Sequence, residues 1–155
     1  MKKTIEIIKA SRRKLVYLTQ GLSIEALNRI PDGFNNNIMW NIGHVIASQQ
    51  ILCYRYSNNQ PVIEAEIIDK YKNGTKPVKF VNSAEFEWLK VHLFSTIDQL
   101  EEDIERNIFE NYNAYNSGSY PELRIETFRD VMNYIPQHEG LHLGYCTALK
   151  KLINR

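Results

Sequence analysis

Cysteine is scarce in this 155-residue chain, which contains only Cys53 and Cys146, far apart in sequence. So few cysteines form no cysteine-rich metal cluster, and we expect two free thiols and no disulfide. Residues 1–6 include an acid and no unbroken apolar core, which is not the pattern of a signal peptide. We therefore expect a cytoplasmic protein.

Long apolar runs and an excess of one charge are also missing. The longest apolar runs are far too short to span a membrane. The formal net charge is +1 and the basic residues form no extended face, so we expect neither a membrane nor a nucleic acid as a partner. The chain has no glycine-rich phosphate loop and no G-x-S-x-G motif, which removes two common kinds of catalytic site.

Apolar periodicity of the helical type is what the chain does contain. Hydrophobic residues make up 43% and charged residues 24%, as in an ordinary globular domain, and no internal boundary is visible over residues 1–155. The apolar stripes predict four long helices, at residues 4–20, 38–56, 83–106 and 128–154. We expect shorter helical pieces at 23–30 and 63–71, and a polar loop over 107–126. The long connection over 57–82 predicts an all-α four-helix bundle with a crossover between its second and third helices.

Charged and helix-breaking residues carry further expectations. The basic cluster Arg12-Arg13-Lys14 and the acidic run that contains Asp103 are predicted to be solvated faces. Pro136 lies inside the last helix and predicts a kink or a local widening there. His92 falls off the apolar stripe of its helix, so we expect it at a flank or at the surface.

Two histidines stand four residues apart on the last predicted helix. Because four residues rotate through about 400°, the rings of His138 and His142 point the same way, offset by about 40°. They interrupt an apolar seam formed by Phe128, Val131, Ile135, Tyr145, Leu149 and Leu152. A third histidine, His44, lies on the apolar stripe of the second helix. Each alone would be an ordinary core histidine, but together they predict a shared metal site.

Three imidazoles favour certain metals and a certain kind of site. Neutral histidine binds zinc, nickel, copper or iron well, and calcium or magnesium poorly. Three protein ligands leave at least one coordination position open, as in catalytic zinc sites, and water or a substrate thiolate could take it. The pattern therefore favours a reactive centre over a structural one, if a metal is bound.

Several neighbours of the histidines have more than one possible role. Glu139 could act as a general base at the site, or it could be a supporting or surface residue. Cys146 could be a soft fourth ligand or a small buried apolar residue. Trp40, Tyr54 and Tyr145 extend the histidine stripes and could line a pocket, although core packing is their ordinary role.

The segment His138-Glu139-x-x-His142 also matches the zincin signature H-E-x-x-H, in which the glutamate is the general base. Zincins take a third ligand downstream of the second histidine. No histidine, aspartate or glutamate follows His142 in this chain. A zincin peptidase is therefore not favoured.

Three motifs together suggest a known family. The second helix opens with Asn37-Ile38-x-Trp40-x-x-x-His44, and the last helix contains His138-Glu139-x-x-His142-x-Gly144. An early Leu22-Ser23-x-Glu25-x-Leu27, followed by Pro31, also fits. In these motifs, and over nearly its full length, the chain resembles the DinB-like family, also described as damage-inducible or YfiT-like metalloenzymes.

The resemblance implies a four-helix bundle with a crossover connection. It further implies a divalent metal, zinc or nickel with iron as a further candidate, held by His44, His138 and His142. Relatives include transferases and isomerases that use low-molecular-weight thiols such as bacillithiol or mycothiol, and homodimers are common among them.

Two hypotheses on function follow from this resemblance. The first is a metal-dependent enzyme, thiol S-transferase-like or hydrolase-like, in which a thiolate or water attacks a small electrophilic substrate. The alternative is a non-catalytic metal-binding or stress-response protein that acts through dimerisation or through a partner.

Overall fold

The structure is a computed structural model that describes residues 1–153, which form six α-helices and one short ribbon. The helices are α1 Lys2–Thr19, α2 Ile24–Asn28, α3 Ile38–Gln49, α4 Ala65–Tyr71, α5 Ser83–Glu105 and α6 Phe128–Ile153. The predicted all-α class is confirmed. The predicted end of the last helix, at Asn154, lies outside the described residues.

The four long helices, α1, α3, α5 and α6, build the core. α1 packs against α5 and α6, and α3 packs against the same two helices. Their facing stripes bury apolar side chains that include Ile8, Leu15, Ile46, Leu93, Ile97 and Leu149. The crossover between α3 and α5 contains α4, which packs on α3, the helix that carries His44. None of the helices within residues 1–153 has both the length and the apolar character needed to cross a bilayer.

The loop between α5 and α6 is more ordered than the sequence predicts. Strands β1 Tyr115–Asn116 and β2 Arg124–Ile125 pair in antiparallel fashion inside it. Two residues per strand are too few for a recognisable alternation of apolar and polar residues. This explains why the sequence pattern shows only a polar loop.

The two helices that carry the histidines begin at side-chain caps. Asn37 Oδ1 accepts a hydrogen bond from the backbone N–H of Trp40 at 2.8 Å, at the start of α3. At the start of α6, the backbone N–H of Asp130 donates to Thr127 Oγ1 at 3.1 Å, and the backbone N–H of Thr127 donates back to the Asp130 carboxylate at 2.9 Å. A cap of this kind contributes about 1 kcal/mol and fixes where the helix begins.

α3 does not end as an α-helix, and this moves Tyr54 away from its predicted stripe. Gln50–Tyr54 form a wider π-helical turn and Arg55–Ser57 a tighter 3-10 turn. A wider turn rotates the residues that follow it, so an α-helical projection from His44 no longer holds at Tyr54. The phenol of Tyr54 instead donates to Asp103 at 2.8 Å, away from the histidines.

Two charged clusters differ from the predicted solvated faces. Arg12 is fully buried and pairs with Glu139, although the rest of the basic cluster is exposed as expected. Asp103 is also buried, where it accepts the hydrogen bond from Tyr54. In both cases the burial depends on a partner from another helix, which a local cluster of charges does not reveal.

The last helix departs from its prediction at two points. Residues Phe128–Ile153 stay α-helical through Pro136, so the predicted local widening is absent there. Tyr145 is exposed and its ring packs edge-on against Phe34, with centroids 5.4 Å apart. Cys146, the next residue, is buried instead. Around the helix axis Tyr145 lies about 60° to one side of His142 and Cys146 about 40° to the other side, and the core covers the side of Cys146.

Candidate metal centre

His44 is held on α3 by contacts on both of its ring nitrogens. Nδ1 donates to the backbone carbonyl of Tyr71 at 2.8 Å. Because a carbonyl only accepts, Nδ1 carries the proton and Nε2 keeps a lone pair. Ser48 Oγ lies 3.1 Å from that Nε2, and Trp40 stacks on the ring with centroids 4.6 Å apart. These contacts fix the tautomer and the orientation of the imidazole.

The approach of Tyr71 depends on a glycine next to the histidine. A Cβ on Gly43 would lie 2.4 Å from the Tyr71 ring, so only glycine lets α4 come this close to α3. The Tyr71 hydroxyl donates to Glu85 at 2.6 Å, which ties α4 to α5 as well. The carbonyl that orients His44 is therefore fixed by packing on two sides.

His142 on α6 is oriented by an amide from α3. Its Nδ1 lies 2.8 Å from Asn41 Oδ1. Asn41 Nδ2 donates to the backbone carbonyl of Asn37 at 2.7 Å, which turns the amide oxygen toward the histidine. His142 therefore carries its proton on Nδ1, and its Nε2 has a free lone pair.

The three predicted ligands meet at one place. The ring centroids of His138 lie 5.3 Å from His44 and 4.6 Å from His142, and those of His44 and His142 lie 4.6 Å apart. One nitrogen from each ring lies within 4.8 Å of the other two. Since zinc–nitrogen bonds are about 2.0–2.1 Å long, small side-chain rotations are enough to bring all three onto one ion. The cluster is compatible with metal binding.

Burial keeps these rings uncharged. It lowers the pKa of His44 below its ordinary value. Burial and the neighbouring histidines lower the pKa of His138 to about 4 and that of His142 to about 3. A neutral imidazole offers the lone pair that a transition metal requires, so this donor set fits such an ion.

A cavity of about 490 Å³ opens beside the histidines. Its other walls come from α3, the π-helical turn and the loop that contains β1. Aromatic rings line it at Trp40, Tyr56, Tyr115 and Tyr134, and uncharged polar groups line it at Asn36, Ser48, Asn73, Asn116 and Ser119. The three histidines thus face a space large enough for a small molecule.

Comparison with known proteins assigns the family. The sequence model of the DinB superfamily matches residues 7–146, which include all three histidines. The chain belongs to the DinB superfamily. The family expected from the three sequence motifs is thereby confirmed. No curated protein matches the chain.

The structure places the predicted pocket residues of this DinB-superfamily chain in different surroundings. Trp40 lines the cavity and stacks on His44. Tyr54 packs edge-on against Phe109 in a second apolar cluster, and Tyr145 lies at the surface. Only the first of the three lines the cavity beside the histidines.

Cys146 is buried among the apolar residues of the core. Burial raises the pKa of its thiol to about 12, which keeps the sulfur protonated. Within residues 1–153 the cluster of potential ligand atoms consists of the three histidines and does not include this sulfur. The surroundings of Cys146 match those of a small apolar residue.

Glu139 follows His138 in sequence but contacts the bundle core. Arg12 Nη2 and Nε donate to Glu139 Oε1 at 2.7 and 3.0 Å. The same guanidinium donates to the Leu93 carbonyl at 2.7 Å, to Thr96 Oγ1 at 3.1 Å and to Gln49 Oε1 at 3.2 Å. Burial raises the pKa of Glu139 and the guanidinium opposes this shift. One arginine thus links all four long helices next to the three histidines.

Several residues of the candidate site have no signal in the sequence pattern. Asn41 lies on a helix whose residues are all buried, so burial does not distinguish it from its neighbours. Its polar side chain is the only sign of a functional role. Tyr115 lies in a loop without periodicity, where only the richness in tyrosine and asparagine is unusual. Tyr56 and Tyr134 look like ordinary core aromatics. Their shared location depends on how the loop folds over the helices.

Proposed function

We propose that this DinB-superfamily protein is a metal-dependent enzyme. In this proposal His44, His138 and His142 hold one divalent transition metal, zinc or nickel, with iron as a further candidate. The observation that supports it is the convergence of three neutral imidazoles at the wall of a cavity of about 490 Å³. Structural zinc sites usually take four protein ligands, whereas three ligands beside a cavity are typical of a reactive centre.

The proposed reaction is attack by a thiolate or water on a small electrophile. A divalent ion supplies positive charge that lowers the pKa of a thiol or water molecule in the cavity. That nucleophile loses its proton to solvent water and forms a bond to the electrophilic carbon, and the leaving group departs with its electron pair. The Ser48 hydroxyl is close enough to hydrogen-bond a ligand beside His44. The family resemblance favours a low-molecular-weight thiol as the nucleophile.

The hypothesis that Glu139 acts as a general base competes with a supporting role. Its contacts with Arg12 favour the supporting role, because they hold α6 at the residue next to His138. In this proposal the ion pair fixes the rotation of α6 about its axis. The three histidines then keep their positions when a substrate enters.

Metal analysis of purified variants tests the proposed site. We expect about one ion per chain in protein that is purified after metal supplementation, and its loss in His44→Ala and His142→Ala. His92→Ala is the matched control, because His92 lies on α5 against Trp88 and outside the cluster. A supplemented wild type without metal would contradict the proposal, as would full occupancy in His44→Ala. Thiol-conjugation assays on the loaded protein then test turnover.

We also propose that the protein works as a homodimer in the cytoplasm. The dimer rests on the family resemblance alone. Both cysteines are buried free thiols, which fits a reducing compartment. Sedimentation equilibrium tests the homodimer, and a mass that stays monomeric at micromolar concentrations would contradict it.

A further inference from the structure

The lining of the histidine cavity is unusual in carrying no formal charge. Among the described residues that line it there is no lysine, arginine, aspartate or glutamate. A carboxylate or ammonium group that enters such a space loses hydration and finds no oppositely charged side chain. A ligand is therefore disfavoured if it carries a charged group on the part that does not face the histidines.

Aromatic rings line the cavity next to the histidines. Trp40 stacks on His44 at an interplanar angle of 14°, and the Tyr134 ring lies 5.9 Å from that of His138. Farther from the histidines, Tyr56 and Tyr115 stack on each other at 4.3 Å. Flat apolar faces of this kind favour contact with another planar ring.

Two buried polar atoms on the cavity lining have no partner. Asn36 Oδ1 and Tyr115 Oη make no hydrogen bond within residues 1–153. Buried polar atoms are rarely left unpaired, because each then keeps its full desolvation cost. Burial also raises the pKa of the Tyr115 phenol, so that it remains a hydrogen-bond donor at neutral pH. Both atoms belong to residues of the lining but are themselves covered, so a ligand can pair with them only after a side-chain movement.

We propose that the cavity binds a small molecule with an aromatic ring and no net charge outside the single donor atom that faces the histidines. The inference rests on the proposed function, because that donor atom needs the metal. It restricts either the nucleophile or the electrophile that is attacked to uncharged compounds with an aromatic ring. A thiol that carries free carboxylates finds no cationic side chain in this lining, so an uncharged thiol is the preferred ligand.

Matched thiols test this selection on the cobalt-loaded protein. Benzenethiol, 4-mercaptobenzoate and 2-mercaptoethanol each offer one thiolate, and binding is followed by the sulfur-to-cobalt charge-transfer absorption. We expect benzenethiol to bind at least tenfold more tightly than either of the other two. Equal affinities for benzenethiol and 4-mercaptobenzoate would overturn the inference, and so would the absence of binding by all three.

A charge introduced at the rim provides the matched variant. Ser119 is an exposed lining residue, whereas Asn111 is exposed in the same loop and outside the lining. Ser119→Lys should raise the affinity for 4-mercaptobenzoate relative to benzenethiol by at least fivefold, and Asn111→Lys should not. Equal effects of the two lysines would count against the inference.

Cobalt loading separates this inference from the proposed function. A wild type that takes up no cobalt overturns both. A protein that binds cobalt through the histidines but does not discriminate among the thiols overturns only the ligand selection.

Discussion

Arg12 carries a charge in the centre of the helix core, and its contacts explain how that charge is tolerated. Glu139 neutralises it, and a backbone carbonyl and two polar side chains accept its remaining hydrogen bonds. Moving a charge out of water costs several kcal/mol unless a partner and hydrogen bonds replace the water. As long as Glu139 is buried, Arg12 is therefore needed to offset the cost of burying its carboxylate, whether or not the pair adds net stability.

Arg12→Met should lower the free energy of unfolding by about 3–5 kcal/mol, because it leaves the Glu139 carboxylate buried without its cation. Denaturant unfolding followed by circular dichroism measures the change. Arg13→Met, on the exposed side of the same helix, should stay within about 0.5 kcal/mol of the wild type. Similar losses in the two variants would show that the buried pair is not what matters.

Helix α4 is short, yet at the scale of elements it orients His44, the proposed metal ligand on α3. Its last residue, Tyr71, packs where Gly43 has no side chain and presents a carbonyl to His44. Hydrogen bonds of this kind fix the free nitrogen of a metal-binding histidine. The crossover connection is thus part of the site as well as a link between helices.

Gly43→Ala should cost about 1–3 kcal/mol of stability through overpacking against Tyr71. It should also weaken metal binding by about 10–100-fold, because the carbonyl that holds His44 must move. Thermal unfolding and a metal titration measure the two effects. The control is Gly140→Ala on α6, where an added Cβ would meet no atom of another part of the protein within 4 Å. This substitution should raise the free energy of unfolding by about 0.5–1 kcal/mol. Unchanged metal affinity in Gly43→Ala would refute the role given to α4.

At the scale of the whole molecule, the candidate site joins the second long helix to the last one. His44 comes from α3 and the other two histidines come from α6, so an ion shared by them would cross-link distant parts of the chain. The folded protein assembles these ligands, whereas the unfolded chain does not. Metal binding and global stability should therefore be coupled.

Addition of metal at about 100 times its dissociation constant should stabilise the folded protein by about 2.7 kcal/mol, which raises the Tm by about 5–10 °C. A chelator should reverse the shift. Differential scanning fluorimetry measures it in wild type, His44→Ala and His92→Ala, and only the first and third should respond. A shift of the same size in His44→Ala would mean that the metal binds elsewhere.

Local sequence determined the helices and the faces on which the histidines lie, because helical periodicity and side-chain caps act within a few residues of one another. It also fixed the His138–His142 pair, which one turn of helix brings together. Only the tertiary structure decided the rest. The burial of Arg12, the pairing of Tyr54 with Asp103 and the uncharged cavity lining all depend on partners from other helices and loops. Such contacts follow from how the helices pack and from the π-helical turn that follows α3, and no local pattern encodes them.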